Sequence, residues 1–221
     1  MTHRQVGPGL ETDHDVVVGY PGDRVAETWI RLGGEARLRS GTVLYAGTSI
    51  GDRLQTGHHV IVREDCVIGD DVAIWSNSVV DYGCRIGDRV KIHCNCYVAQ
   101  FTEIQDDAFL APGVTVANDL YPGQADSGAA MSGPWIGPGA QIGVNVTLLP
   151  YVRIGAGCLV GAGSVVTRDL PAGTVAYGNP AVVRGDVADL RDIATRVRHT
   201  DSASRFRLAG VGQTPVDAGR P

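Results

Sequence analysis

An aliphatic residue recurs at every sixth position through much of this chain. The series begins at Leu38 and ends at Val116, and only Thr56 breaks its aliphatic character. Its members are Leu38, Leu44, Ile50, Thr56, Val62, Ile68, Ile74, Val80, Ile86, Ile92, Val98, Ile104, Leu110 and Val116. A period of six fits neither an α-helix, which repeats every 3.6 residues, nor a long strand, whose side chains alternate. It predicts a solenoid in which every six residues form one short strand and one corner.

Three such segments close a coil of about eighteen residues, and successive coils stack as parallel strands about 4.8 Å apart. Residues eighteen apart then become vertical neighbours, so Ile50, Ile68 and Ile86 are predicted to form one inward ladder that Ile104 continues. Gly-Asp follows the first three of these residues and suits a tight corner, in which the Asp side chain is predicted to bond local backbone. A β-sandwich would instead show alternation interrupted by loops of variable length, which the gapless series does not contain.

The register fails at a stretch rich in Gly, Ala, Ser and Pro and resumes at Ile136. Insertions of this kind leave a solenoid as external loops, so a loop is predicted over residues 118–135. If the corner continues through this loop, Ile136 lies below Ile104, and Ile142 lies below Leu110.

The ends of the chain differ from its middle. The predicted parts are an N-terminal cap at 1–37, a β-helix at 38–177, a C-terminal extension at 178–199 and a mobile tail at 200–221. Val187, Leu190 and Ile193 follow helical spacing, so the extension is predicted to contain a short helix.

The net charge and the positions of the cysteines limit the partners and sites that this chain can have. The formal net charge of -5 and the lack of a basic cluster argue against nucleic acid as a partner. No apolar run is long enough to span a bilayer, so a cytoplasmic protein with no membrane contact is predicted. Cys66, Cys84, Cys96 and Cys158 are expected to point into the core, and Cys94 and Cys96 to point to opposite faces, so neither a redox pair nor a zinc site is predicted.

Several short segments resemble known sequences. The Ile-Gly-Asp repeats, residues 161–167 (GAGSVVT) and residues 178–181 (GNPA) resemble the hexapeptide-repeat acyltransferases. Residues 55–58 (QTGH), 63–64 (RE) and 117–122 (ANDLYP) are similar to the nucleotide-sugar N-acetyltransferase branch of that family.

The resemblance covers roughly residues 16–185. It implies an all-β, left-handed parallel β-helix that assembles as a homotrimer, with ligands bound between subunits. The period alone does not give the handedness, because crossovers between parallel strands are right-handed in about 98% of cases. The implied ligands are acetyl-CoA, as co-substrate, and a nucleotide-linked amino sugar, with no metal ion.

His93 is the first candidate for a proton acceptor, because it belongs to the repeat and directly follows the inward Ile92. It is predicted to point outward, between Trp75 and Ala111 in the neighbouring coils. A role in binding the acceptor or lining a subunit interface is the alternative. Family members often carry a histidine in the loop after the strand equivalent to Val116, whereas this chain has Asn118 and Asp119.

Catalytic roles are therefore predicted for His93 and Asn118. A polar column of Glu64, Tyr82, Gln100 and Asn118 leads to the inserted loop and is predicted to form a sugar-binding wall. The predicted substrate-binding residues are His58, Asn77, Tyr82, Asn95, Gln100 and Asp119. For Asn77 and the related Asn145, a purely structural corner role is the alternative.

The cofactor-binding prediction concerns small residues and cations of the second repeat block. Its members are Gly143, Gly161, Ala162, Thr167, Arg168, Pro180 and Arg184. Small residues would let a pantetheine arm run close to exposed backbone amides, and Arg suits phosphate in geometry and charge. The alternative is that the glycines are only corner residues.

Three other functions are alternatives to N-acetyl transfer. O-acetyl transfer to a hydroxyl stays open. A β-helical carbonic anhydrase needs three histidines around zinc, but position 98, five beyond His93, is Val98. A non-catalytic scaffold would leave the loop and the Gly-Ala segment unexplained.

Overall fold

A computed structural model describes residues 3–24 and 29–190 of the chain. In chain order, the first strands are β1 (His3–Val6), β2 (Glu11–Thr12), β3 (Val17–Tyr20), β4 (Trp29–Leu32), β5 (Arg37–Leu38), β6 (Val43–Tyr45), β7 (Ser49–Ile50), β8 (Gln55–Thr56), β9 (Ile61–Val62), β10 (Val67–Ile68), β11 (Ala73–Ile74), β12 (Val79–Val80) and β13 (Arg85–Ile86). They continue as β14 (Lys91–Ile92), β15 (Tyr97–Val98), β16 (Glu103–Ile104), β17 (Phe109–Leu110), β18 (Thr115–Val116), β19 (Trp135–Ile136), β20 (Gln141–Ile142), β21 (Thr147–Leu148), β22 (Arg153–Ile154), β23 (Leu159–Val160), β24 (Val165–Val166), β25 (Thr174–Gly178) and β26 (Ala181–Asp186). All lie in one compact unit, Met1–Ala188.

The strands form three sheets, which are the sides of a left-handed parallel β-helix. The first side has the order β1-β4-β7-β10-β13-β16-β19-β22, the second β2-β5-β8-β11-β14-β17-β20-β23-β25-β26, and the third β3-β6-β9-β12-β15-β18-β21-β24. Ile68 pairs in register with Ile50 and Ile86, and Ile86 with Ile104, which confirms the predicted ladder. In the described part of the chain, no helix is long and apolar enough to cross a membrane.

Thr56 is the one polar member of the six-residue series, and the structure explains why it is tolerated in the core. Its hydroxyl is hydrogen-bonded to the hydroxyl of Thr42 at 2.9 Å and accepts the backbone N–H of Arg39 at 3.0 Å. A buried polar group with its hydrogen bonds made costs far less than an orphaned one.

Corner aspartates of the first side connect each coil to the one before it. Asp70 Oδ1 accepts the backbone N–H of Asp52 at 2.8 Å. Asp88 accepts the N–H of Asp70, and Asp106 that of Asp88, both at 2.9 Å. Asp52 accepts the N–H of Gly34 at 2.7 Å. The sequence predicts a bond within the local turn, but each carboxylate reaches a full coil toward the N-terminus.

Replacing Asp70 by Ala is expected to lower the free energy of unfolding by about 1 kcal/mol, a typical net value for one hydrogen bond. Chemical denaturation at unchanged m-value measures the difference. Glu103→Ala is the matched control, because Glu103 is exposed and makes no side-chain hydrogen bond to any residue that the structure describes. Its effect should stay within about 0.5 kcal/mol. Equal effects of the two substitutions would contradict the stabilising role of the aspartate.

The structure corrects the prediction of a separate cap over residues 1–37. Strands β1, β2 and β3 form a first coil that pairs in parallel with β4, β5 and β6. The register places Val6 above Leu32, Thr12 above Leu38, and Val18 above Leu44. The period of six therefore reaches the N-terminal region, but the longer connection between β3 and β4 conceals it in the sequence.

The predicted external loop leaves the β-helix between β18 and β19 and contains a 3₁₀ turn, Ser127–Ala130. Ile136 pairs with Ile104, and Ile142 pairs with Leu110. Both pairings confirm that the corner continues through the loop.

The C-terminal extension differs from the prediction. Strands β25 and β26 form an antiparallel hairpin at the end of the second side, followed by a 3₁₀ turn, Val187–Asp189. The rest of the predicted helix, beyond residue 190, and the tail 200–221 lie outside the described residues.

Candidate functional site

His93 lies on the outer surface of the second side, directly after β14. Its ring stacks on Trp75 with the centroids 4.3 Å apart and the planes at 22°, and it lies 4.8 Å from the ring of Phe109. The described residues offer no hydrogen bond to its ring nitrogens. A half-buried imidazole held by stacking, with uncommitted nitrogens, can accept a proton from a bound group.

Below His93, toward the C-terminus, the same column contains small residues. Ala111, Gly143 and Gly161 occupy successive coils, and Tyr177 ends the column. At about 4.8 Å per coil, this trough extends about 19 Å from His93 to Tyr177. Between these two residues, the trough contains no side chain larger than the methyl group of Ala111.

Coil stacking requires the two glycines of the trough. A Cβ at Gly143 would lie 2.6 Å from the carbonyl oxygen of Val160, and one at Gly161 would lie 2.7 Å from Cβ of Tyr177. Their N–H groups donate to the carbonyls of Val160 and Ala176 within the sheet. The glycines therefore expose backbone surface but no free amide N–H, in contrast to the prediction of exposed amides.

The other predicted cofactor residues divide between two faces. Ala162 is exposed beside the trough, and Pro180 and Arg184 lie in the hairpin at its lower end. The Arg184 guanidinium is 5.6 Å from the ring of Tyr177. Thr167 and Arg168 instead follow β24 on the third side.

A buried ion pair begins a polar network on the third side. Arg63 donates two hydrogen bonds to the Glu64 carboxylate, at 2.7 and 2.9 Å, and the Glu64 side chain is 0% exposed. Arg63 also lies 3.8 Å from the Asp81 carboxylate. Burial is the largest single influence and opposes ionisation of Glu64, but the hydrogen bonds from Arg63, a backbone hydrogen bond and the nearby positive charges together hold the Glu64 pKa below its usual value. The predicted sugar-binding column thus begins with a structural carboxylate.

Asp81, Tyr97, Gln100 and Asn118 form a continuous hydrogen-bonded chain, called here the polar relay. Asp81 Oδ2 accepts from the Tyr97 hydroxyl at 2.8 Å and from Gln100 Nε2 at 2.5 Å. Gln100 Oε1 accepts from Asn118 Nδ2 at 2.6 Å. An ionised carboxylate only accepts, so Asp81 fixes the direction of both amides. Asn118 consequently presents its Oδ1 as an acceptor where the external loop begins.

Sequence reasoning missed Asp81 and Tyr97. Burial, with the hydrogen bond to Asp81, raises the pKa of Tyr97 to about 12, so the hydroxyl remains a donor at neutral pH. One signal was available, since Arg63 and Asp81 stand eighteen positions apart and opposite charges pair well in neighbouring strands.

Asn77 and Asn95 occupy corners at which the backbone is left-handed, with φ of 61° and 59°. Asn tolerates this region better than most residues. The same corner position is taken in other coils by Gly41, His59, Gly113, Asn145 and Gly163, all with positive φ. Backbone geometry alone therefore accounts for the residue type, which supports the structural alternative.

The remaining predicted substrate residues are exposed or half-buried. His58 is exposed before its corner, and its N–H donates to Ser76 Oγ at 3.0 Å. Tyr82 packs edge-on against Phe101, at 5.3 Å. Asp119 accepts the N–H of Tyr121 at 2.8 Å, an Asx turn that shapes the start of the external loop.

Within one chain, the structure does not bring His93 and Asn118 together. His93 precedes the corner that leads into the third side, whereas Asn118 follows β18 at the far edge of that side. In a single copy of the chain, the two residues therefore do not belong to one site.

Four of the five cysteines are buried, at the inward positions that the sequence predicts: Cys66, Cys84, Cys96 and Cys158. Burial raises the pKa of the Cys96 and Cys158 thiols, which makes them poor nucleophiles. Over residues 3–24 and 29–190, no group of three or more His, Cys, Asp or Glu side chains is arranged to hold a metal ion.

Comparison with known proteins gives the class of this fold. Residues 47–81, 83–118 and 133–168 match the family described as bacterial transferase hexapeptide (six repeats). Residues 65–100 also match the hexapeptide repeat of succinyl-transferase. The UDP-N-acetylglucosamine acyltransferase from Campylobacter jejuni superposes with a TM-score of 0.64 at 18% identity, over 93% of this chain and 86% of that one.

Curated relatives match over shorter segments. Serine acetyltransferase 2 of Arabidopsis thaliana is 32% identical over 119 residues, 53% of this chain and 36% of the relative. The 2,3,4,5-tetrahydropyridine-2,6-dicarboxylate N-acetyltransferase of Staphylococcus aureus is 47% identical over 51 residues, 23% of this chain and 21% of the relative. The chain thus spans about a third or less of these two relatives.

Fold and repeats together define a hexapeptide-repeat protein with a left-handed parallel β-helix. The chain belongs to the bacterial transferase hexapeptide family.

Proposed function

We propose that the protein transfers the acetyl group of acetyl-CoA to the amino group of a nucleotide-linked sugar. The observation that carries this proposal is the position of His93 at the upper end of a backbone-floored trough about 19 Å long. A pantetheine arm is thin and extended, and the trough offers it a path that ends beside a proton acceptor. Arg184 and the exposed ring of Tyr177 lie at the other end, where the nucleotide part of coenzyme A would follow.

The chemistry asks little of the protein beyond orientation and removal of one proton. The amine nitrogen bonds to the acetyl carbonyl carbon, the carbon–sulfur bond breaks, and coenzyme A leaves as a thiolate. An ordinary thiol has a pKa of about 8.5, so no strong acid is needed at the leaving group. His93 accepts the proton that the amine loses and passes it to the departing sulfur.

The polar relay supports an amine rather than a hydroxyl as the acceptor. Asn118 Oδ1 points away from Gln100 as an acceptor, and Asp119 supplies a carboxylate beside it. An amine offers more N–H donors than a hydroxyl, which has a single O–H. Two neighbouring acceptors of this kind match the amine better. The names of the relatives are compatible with both chemistries, because one acetylates serine and another is an N-acetyltransferase.

The proposal includes a homotrimer in which neighbouring copies complete each site. His93 lies on the second side and Asn118 lies at the far edge of the third side, so one copy contributes the trough and its neighbour the polar relay. Flat sides of a β-helix suit such closed, symmetric packing.

The direct test is release of free thiol from acetyl-CoA with a panel of nucleotide-linked 3-amino and 4-amino sugars. We expect turnover with at least one amino sugar and none with the matching hydroxyl sugar. Turnover only with hydroxyl acceptors would replace the amine by an alcohol, and no turnover with either class would refute the proposal.

Replacing Asp81 by Asn is expected to raise the KM for the amino acceptor about tenfold while the KM for acetyl-CoA stays unchanged. Without the acceptor-only carboxylate, the amides of Gln100 and Asn118 lose their enforced direction. Loss of one oriented hydrogen bond corresponds to about 1.4 kcal/mol.

The same substitution has a spectroscopic readout. In D81N, the pKa of Tyr97 should fall from about 12, because one of the causes that raise it is removed. Absorbance titration against a Tyr97→Phe reference assigns that residue. An unchanged pKa together with an unchanged acceptor KM would show that the relay does not position the acceptor.

A further inference from the structure

A second recess lies on the same face as the trough, on the N-terminal side of His93. Its volume is about 290 Å³, and its lining includes Arg37, Arg39, Gly57, His58 and Trp75. None of the predicted catalytic residues lines it, and His58 is its only predicted substrate-binding residue. Two arginines, one indole ring and a glycine form an unusual combination on a β-helix side.

The ladder geometry makes part of this recess a slot for a planar ring. Arg39, Gly57 and Trp75 follow β5, β8 and β11, so they occupy one column in successive coils. Because Gly57 has no side chain, the level between the arginine and the indole is empty over about 9.6 Å. A ring at the level of Gly57 would lie about 4.8 Å from each neighbour, within the range of aromatic stacking and cation–π contact.

The indole ring of Trp75 is held in position to stack on such a ring. His93 covers one face of the indole at 4.3 Å. The other face is turned toward the level of Gly57, and the ring helps to line the recess. Gly57 cannot be larger, because a Cβ there would clash with the backbone nitrogen of Ser76. The slot is therefore built into the stacking of these coils.

The arginines supply charge beside this ring site. Arg37 Nε donates to Glu11 at 2.7 Å, and Arg39 Nη1 donates to Asp13 at 3.2 Å. Each pair uses one of the five N–H donors of its guanidinium. The pairs are exposed, so they are weak, and they orient the side chains while leaving other donors for a phosphate.

We propose that this slot binds a nucleoside diphosphate, with the base between Arg39 and Trp75 and the diphosphate against Arg37, Arg39 and His58. This inference rests on the proposed function, because the nucleotide of the sugar acceptor would then lie on the N-terminal side of His93, beyond Trp75, and the acetyl donor on its C-terminal side. The first coil then contributes to this slot, because its Glu11 and Asp13 hold the two arginines in place.

Coenzyme A contains the same chemistry, so the test compares two ligands by calorimetry: uridine diphosphate and coenzyme A. We expect R39Q and R37Q each to weaken uridine diphosphate binding at least tenfold and to leave coenzyme A binding unchanged. The control is Arg89→Gln, an equally exposed arginine that pairs with Asp107 away from the recess. Selective loss of coenzyme A binding would assign the slot to the donor nucleotide instead.

Trp75→Leu adds a readout for the base. It should weaken binding of uridine diphosphate but not of inorganic diphosphate. No binding of uridine diphosphate to the wild-type protein at millimolar concentration, or equal effects of R39Q and R89Q, would overturn the slot.

The outcomes separate this inference from the proposed function. If amino sugars are acetylated but R39Q binds uridine diphosphate normally, the slot is wrong and the activity stands. If R39Q loses uridine diphosphate binding but no amino sugar is acetylated, the slot stands and the acceptor is wrong.

Discussion

Replacing His93 by Asn is expected to lower kcat by about 10²- to 10⁴-fold, the usual contribution of a general base. Asn keeps a planar polar side chain next to Trp75, so the coil should remain folded. Steady-state kinetics with acetyl-CoA and the best amino sugar of the panel measure the loss.

His59→Asn is the matched control for this experiment. His59 is exposed at a corner with φ of 56°, where Asn is well tolerated and is the residue used in other coils. Its kinetics should match those of the wild type. A kcat of H93N equal to that of the wild type would remove His93 from proton transfer, and the amine would then lose its proton without a protein base.

Glu64→Gln is expected to lower the free energy of unfolding by about 2–3 kcal/mol. The side chain is fully buried, and the substitution leaves the Arg63 guanidinium without its charged partner while preserving shape. Loss of one partner of a fully buried pair costs about 3–5 kcal/mol. Arg63 is 30% exposed and has Asp81 at 3.8 Å, which places the expected loss below that range.

The difference in unfolding free energy between the wild type and E64Q should decrease at low pH. The pKa of Glu64 is lower in the folded protein, so its contribution is complete above the unfolded value, about 4.3, and is lost as pH falls through the folded value. The difference between wild type and E64Q in urea unfolding should therefore shrink below about pH 4. The control is Asp107→Asn in an exposed pair, for which we expect a much smaller loss because solvent screens the two charges. Equal losses in the two variants would contradict the importance of burial.

The six-residue period predicted the three-sided coil, because it depends on local geometry that repeats without gaps. It placed Ile50, Ile68 and Ile86 in one ladder and continued the corner through the external loop to Ile136. It does not extend across a connection of another length, so it predicts a cap where the structure has a first coil. The hairpin of β25 and β26 was missed because its strands run antiparallel and share no period with the repeats.

The sequence likewise predicts only part of the candidate site. The outward position of His93 follows from counting along the strand, and its contact with Trp75 follows from the eighteen-residue step. The polar relay does not follow, because it depends on how side chains of different length turn toward Asp81. The slot over Gly57 was also missed, because it is defined by the absence of a side chain between two others.

The corner aspartates imply that this molecule can change length in whole steps. Each of the four carboxylates, Asp52, Asp70, Asp88 and Asp106, accepts a hydrogen bond from the backbone of the preceding coil, so each of these coils carries its own link to its neighbour. Duplicating eighteen residues in the middle of the β-helix would preserve all these hydrogen bonds. It would move the two ends of the β-helix apart by one coil, about 4.8 Å. Duplications of this kind would change the distance between subsites on different coils in steps of one coil. No individual contact between coils would have to change.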